Sequence, residues 1–245
     1  MKNPSLAGPP AARVLGKILI ADAGHSRLKL HVYGAGRALH WTAPDVFGWP
    51  EDPRFCGLKA AVLIGTASGP ARRLAALLKR RGEPRLLLAG RDCTLPIHSQ
   101  AKGAGSDRLA QALGARLLHP GQSCVIASVG SALVVDHLDE HGRFQGGLIG
   151  LGFARYLAAM KALSPALDAG GLRSGRYPAR TTAAAVLLGW IEPAAAGIRA
   201  LARRTGAAHV LLTGGDARLL QKHLPGTRLH PHLGADGVAR ALGYR

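Results

Sequence analysis

Two short apolar runs, one in each half of the chain, end in the same way, and this constrains the fold more than any other feature. Ile20-Ala21-Asp22-Ala23-Gly24-His25 and Ile126-Ala127-Ser128-Val129-Gly130-Ser131 share one pattern. Each leaves a buried strand through a polar residue, reaches a glycine and then a second polar residue. Each is followed by another strand, Leu28–Tyr33 in the first half and Ala132–Asp136 in the second. A strand that meets glycine and doubles back forms a hairpin. The repetition predicts an internal duplication: an α/β protein of two domains built on one plan. On these local features alone, two hairpins of separate origin account for the pattern equally well.

The rest of the chain alternates strand and helix signals. Ala60–Ile64, Leu86–Ala89, Gly146–Ile149 and His209–Leu212 read as strands. Helical spacing runs over Ala71–Arg81, with Ser68 as its cap, and over Leu109–Leu118, Gly152–Leu163, Thr182–Arg204 and Asp236–Leu242. Pro120 and Gly121 break the chain between the halves. The expected division is a loose extension over 1–16, an N-terminal domain over 17–119 and a C-terminal domain over 120–245.

Composition narrows the function classes. The 47% of hydrophobic positions is enough for a packed core and argues against disorder. The net charge of +18 invites a nucleic-acid reading. The cations are dispersed, however, in clusters no longer than Lys79-Arg80-Arg81, and aromatic residues for base stacking are few. Nucleic acid is therefore not expected as the primary partner, and attraction of anionic ligands is the safer use of the charge. Cys56, Cys93 and Cys124 lie far apart, without zinc spacing. No signal-like apolar run opens the chain, and Ala183–Ile191 is too short to cross a bilayer. A soluble cytoplasmic protein is expected.

Four segments could carry chemistry. In the first, Asp22 to Lys29, Gly24 can free its amide for a phosphate oxygen, His25 and Ser26 add donors, and Lys29 adds a charge. Asp22 can hold magnesium through water. A plain hairpin turn explains the same residues. In the second, Gly105-Ser106-Asp107-Arg108, Asp107 is either a base beside a guanidinium or, with Ser106, a helix cap. Spacing alone favours the cap. In the third, Ser128 to Ala132, backbone amides and the Ser131 hydroxyl suit a second phosphate. In the fourth, Thr213-Gly214-Gly215-Asp216, the glycines suit either close approach of a flat ring or an ordinary turn.

Taken in order, these segments resemble the type III pantothenate kinases, including the related Bvg accessory factor proteins. The family pattern D-x-G-N-[ST]-x-x-K is matched by Asp22 to Lys29 except at His25. Its G-x-D-R is matched by Gly105 to Arg108. Its D-x-G-T-A is matched at Gly130 and Ala132, with Ser128 in place of Asp and Ser131 in place of Thr. Phe144 to Gly152 follow F-x-G-G-x-I-x-P-G without the proline, Thr182 and Gly189 keep their spacing, and Thr213 to Asp216 give T-G-G-D. The resemblance spans about residues 17 to 243.

The resemblance implies the ASKHA fold (acetate and sugar kinase, heat-shock protein and actin), two duplicated domains clasping ATP in a cleft. It implies ATP-dependent phosphorylation of pantothenate with Mg2+, in the first step of coenzyme A synthesis. Asp22, Ala23, Gly24, His25, Ser26, Arg27, Leu28 and Lys29 would bind the ATP phosphates, with Gly130 and Ser131. Gly105, Ser106, Asp107, Arg108 and Thr182 would bind pantothenate, and Asp107 would accept its hydroxyl proton. Asp22 and Ser128 would be the metal positions, Ser128 standing where the family holds K+ or NH4+ with a carboxylate. A homodimer is implied as well. The alternatives on the same fold are a diverged regulatory protein and a kinase for another small hydroxyl substrate.

Overall fold

A computed structural model describes residues 16–24, 28–34, 36–43, 55–66, 69–172 and 174–244. The chain divides into two compact units. Unit 1 comprises residues 1–96, 105–110 and 234–245, and unit 2 comprises residues 97–104 and 111–233. Apart from Gly16, the expected N-terminal extension lies outside the described residues, as does Ser68, the expected cap of the first helix.

Unit 1 is built on a five-stranded sheet with order β3-β2-β1-β4-β5. The strands are β1 (Lys17–Ala23), β2 (Leu28–Tyr33), β3 (Leu39–Ala43), β4 (Leu58–Gly65) and β5 (Leu86–Leu88). Strand β1 pairs antiparallel with β2 and parallel with β4. This central place explains its unbroken apolar run: Leu19 and Ala21 feed one core, while Ile18 and Ile20 are equally buried on the other face. Helix α1 (Gly69–Arg80) lays Ala71, Leu74 and Leu78 on that core and turns Arg72, Arg73, Lys79 and Arg80 outward.

Unit 2 holds a six-stranded sheet with order β11-β10-β7-β8-β9-β6. Its strands are β6 (His98–Ser99), β7 (Cys124–Val129), β8 (Ala132–Leu138), β9 (Arg143–Leu151), β10 (His209–Thr213) and β11 (Arg228–Leu229). Strands β7, β8 and β9 form an antiparallel meander, and β10 and β11 add in parallel. Read from β9, the order β9-β8-β7-β10-β11 repeats β3-β2-β1-β4-β5 with every strand direction preserved. The duplication expected from the two glycine turns is therefore present in the sheets, and β1 and β7 occupy the same central position.

Helices α3 (Phe153–Leu163), α4 (Thr182–Thr205) and α5 (Ala217–Gln221) belong to unit 2. By length and composition α4 could cross a membrane. Its Val186, Leu187, Trp190, Ile191, Ala195 and Ile198 are instead buried in the protein, the arrangement of a core helix. Thr181 caps α4 by accepting from the Ala184 amide at 3.2 Å, and Gly206 ends it in the left-handed conformation at φ 62°. The described residues also form the α-helices α2 (Ser106–Leu118) and α6 (Leu233–Ala241). In unit 1, α6 is tied to β2 by the Tyr33 hydroxyl, which donates to Asp236 Oδ1 at 2.7 Å.

Strands β3, β6 and β11 and helix α5 were not expected from the sequence. The last three hold too few residues to show a period, whereas β3 runs Leu-His-Trp-Thr-Ala, a short apolar–polar alternation that sequence reading passed over.

Candidate active site

The first glycine turn joins β1 to β2. Asp22 and Lys29 face each other directly in the hairpin register, and Lys29 Nζ donates to Asp22 Oδ2 at 3.1 Å. Their side chains are 25% and 28% exposed, so the pair sits at the surface end of the hairpin with access to a ligand. Ala23 and Leu28 are core residues and anchor the two strands, while Gly24 is exposed at the turn. His25, Ser26 and Arg27, the tip of the expected phosphate loop, lie outside the described residues.

Strand β4 ends beside β1, with Gly65 opposite Ala23. Gly65 has φ +103°, and a Cβ there would stand 2.8 Å from the Ala23 carbonyl oxygen, so only glycine lets the strand finish this way. The bent backbone offers both of its polar groups to Ser106. The Gly65 amide donates to Ser106 Oγ at 2.9 Å, and Ser106 Oγ donates to the Gly65 carbonyl at 3.2 Å. The head of α2 is thereby fastened to the end of β4, one strand from Asp22. Gly65 was not among the predicted site residues, because its bonds to a serine 41 positions away leave no local signal.

Ser106 and Asp107 were both candidate helix caps. The cap is instead Gly105, whose carbonyl accepts from the Leu109 amide at 3.1 Å. Asp107 folds back over it: a Cβ on Gly105 would lie 2.5 Å from Asp107 Oδ1. The glycine is thus the space in which this carboxylate rests. Asp107 is half-buried. Among the described residues its carboxylate has no hydrogen bond or ion pair, which leaves it available for a proton or a ligand. Arg108 follows, also half-buried.

In unit 2 the second turn closes β7 and opens β8. Ser128 Oγ accepts from Gln111 Nε2 of α2 at 3.4 Å, a partner that sequence reading missed. Gly130 and Ser131 form the turn, and Gly152 lies directly beneath them: a Cβ on Gly152 would come 1.9 Å from the Gly130 carbonyl oxygen. Gly147 is equally tight, 1.9 Å from the Val135 carbonyl oxygen. Gly147 and Gly152 are therefore packing residues that seat β9 against β8 and the turn. The Thr213 to Asp216 turn reaches the same strand end. Gly214 has φ +95° and approaches the Val129 carbonyl, and the Asp216 amide donates to that oxygen at 3.1 Å.

The structure thus brings the first two predicted segments together in unit 1. In unit 2 it brings together the segments around Ser128, Gly152 and Gly214. Thr182, in unit 2, is exposed in the first turn of α4. Gly189, two helical turns later, leaves room for the Tyr156 hydroxyl 3.0 Å from where its Cβ would be.

The donor set at the first hairpin fits a magnesium nucleotide. Asp22 supplies a hard carboxylate oxygen, and Lys29 beside it supplies charge for phosphate oxygens. Ser128 is neutral and accepts from Gln111, so it brings no carboxylate to a monovalent cation.

Comparison with known proteins gives a consistent result. Residues 54–204 match the family model described as type III pantothenate kinase. A type III pantothenate kinase of Laribacter hongkongensis (strain HLHK9) is 32% identical over 221 residues, covering 84% of this chain and 90% of that protein. One from Burkholderia ambifaria (strain MC40-6) is 34% identical over 158 residues, 58% of each chain. Among solved structures, a Baf family protein from Campylobacter jejuni has a TM-score of 0.64 at 19% identity, covering 92% of this chain and 97% of that one. A ROK family glucokinase from Streptomyces griseus has a TM-score of 0.51 at 13% identity, covering 92% and 98%. These two likenesses establish the ASKHA fold.

Proposed function

The chain belongs to the type III pantothenate kinase family, and from that premise we propose that it transfers the γ-phosphoryl group of ATP to the primary hydroxyl of pantothenate. The observation that carries this reading is the Asp107 carboxylate, held over Gly105 at the head of α2 with no hydrogen bond or ion pair among the described residues, on a helix fastened beside the Asp22 hairpin.

The step follows from these positions. Asp107 accepts the proton of the pantothenate hydroxyl as the oxygen attacks the γ-phosphorus. The new O–P bond forms while the bond from that phosphorus to the β–γ bridging oxygen breaks, and ADP leaves with the electron pair. Phosphoryl transfer needs positioning and charge neutralisation more than covalent chemistry. Lys29, the amides of the Gly24 turn and the Gly130–Ser131 turn would hold the phosphates. Asp22 would hold Mg2+, which would supply charge neutralisation for the nucleotide phosphates. Arg108 offers a planar fork to the pantothenate carboxylate, and Thr182 a further contact.

The same reading includes a soluble cytoplasmic enzyme that turns over without K+ or NH4+, because Ser128 brings no carboxylate. It also includes a homodimer. Ile149 and Leu151, two residues apart on one face of β9, are 65% and 56% exposed, an apolar patch suited to a second copy. A kinase for a related small alcohol is the second reading, favoured by the absence of tyrosine between Pro96 and Gly105, where the family resemblance leads one to expect a wall of the pantothenate site.

A coupled ADP assay with Mg-ATP and a panel of small alcohols tests both readings. ADP release with pantothenate at the head of the panel is the expected result. Release with another alcohol alone would select the second reading, and no release with any of them would reject both.

A further inference from the structure

The resemblance places Ser106 among the pantothenate ligands, but its hydroxyl is already committed. Its single proton goes to the Gly65 carbonyl at 3.2 Å, and it also accepts the Gly65 amide at 2.9 Å. It does not cap α2, because Gly105 does.

The first turn of a helix has amides without intrahelical partners and frays readily. Asp107 sits in that turn, one residue after Ser106. Gly65 is held rigidly, by pairing with β1 on one side and by a conformation that only glycine tolerates. A two-way bond between Ser106 and this fixed backbone would stop the turn from fraying and fix where Asp107 points.

We propose that Ser106 is a positioning residue: by clasping the backbone of Gly65 it aims Asp107 at the substrate hydroxyl, and it does not itself bind pantothenate. This deepens the reading of Asp107 as proton acceptor and rests on it. In the reaction proposed, Ser106 would act on the chemical step while leaving both substrates' binding groups untouched.

The test compares Ser106→Ala and Ser106→Thr with wild type in the full chain, each also in the Asp107→Asn background. Misplacement of a catalytic group by about 1 Å can cost about a hundredfold. Ser106→Ala is therefore expected to lower kcat about ten- to a hundredfold, with KM for ATP and for pantothenate within about twofold. Ser106→Thr keeps the hydroxyl and restores the rate. In the Asp107→Asn background Ser106→Ala adds no further loss, because the residue works through that carboxylate. A merely structural defect would instead lower the rate in both backgrounds, together with the number of ATP sites titrated.

Hydrogen exchange at the Gly65 amide is the readout independent of turnover. It should accelerate in Ser106→Ala and stay slow in Ser106→Thr. An unchanged kcat, a raised pantothenate KM at constant kcat, or Gly65 exchange indifferent to Ser106→Ala would each overturn the proposal. Wild-type protein that does not phosphorylate pantothenate would instead overturn the reading of the site, and with it any catalytic role for Ser106. The clasp itself would then be judged by Gly65 exchange alone.

Discussion

Replacing Gly105 with alanine should separate folding from catalysis at this site. The new Cβ would stand 2.5 Å from Asp107 Oδ1, against about 3.4 Å for ordinary contact. The obstacle is the end of a side chain and not backbone, so the carboxylate can move and the fold need not. The displacement required is about 0.9 Å, which translates into a loss of about ten- to a hundredfold in kcat. Stability should change little. Alanine is a poorer helix cap than glycine by about 1 kcal/mol at most, or about 2–4 °C in melting temperature for a chain of this length. The assay is the coupled release of ADP with pantothenate, run beside a thermal melt. A variant with wild-type kcat would refute the placement of Asp107 in the chemistry, and a variant that fails to fold would refute the claim that only a side chain stands in the way.

Other consequences follow from packing and titration. Gly147→Ala pushes a methyl group to 1.9 Å from the Val135 carbonyl, where only backbone can yield. It should cost about 3 kcal/mol and lower the melting temperature by about 6–12 °C, and a shift under about 2 °C would contradict the close approach of β9 to β8. Burial pushes the Cys124 thiol up to about 11, so iodoacetamide at pH 8 should modify it only after denaturation, as read by mass spectrometry. His119 is held below the ordinary histidine value by burial, with the cations of His209, Arg228 and His230 adding to the effect. A base depressed in the folded state binds fewer protons than in the unfolded chain. Its contribution to stability is therefore intact above the unfolded value near 6.5 and is lost as pH falls from there through its folded value. Melting temperature should drop over that window, and His119→Asn should flatten the drop.

The fold was legible where a strand is central. β1 and β7 are buried on both faces, so each appears as a largely apolar run closed by glycine; their likeness left separate origins open, and the repeated strand order favours duplication. β6 and β11 exist only because a neighbour supplies hydrogen bonds to two residues, and nothing in two residues has a period. The site was legible in part. Asp22 and Lys29 lie close in sequence across one turn, so their pairing is a local property. Asp107 was not settled by spacing, because the facts that free it from capping are that Gly105 takes the cap and that Ser106 bonds to Gly65, far back in the chain. The glycines of the Phe144 to Gly152 segment looked like part of a binding motif. For Gly147 and Gly152 the cause is steric, since each lies against a carbonyl that a Cβ would strike.

The account is tested most directly by asking whether phosphate from ATP appears on pantothenate through the carboxylate at position 107. Phosphopantothenate would be quantified by mass spectrometry after incubating wild-type protein and Asp107→Asn, matched for melting temperature and ATP binding, with Mg-ATP and pantothenate. Product formed by Asp107→Asn at a rate about a hundred- to ten-thousandfold below wild type is the predicted result. Equal product from both proteins would contradict it.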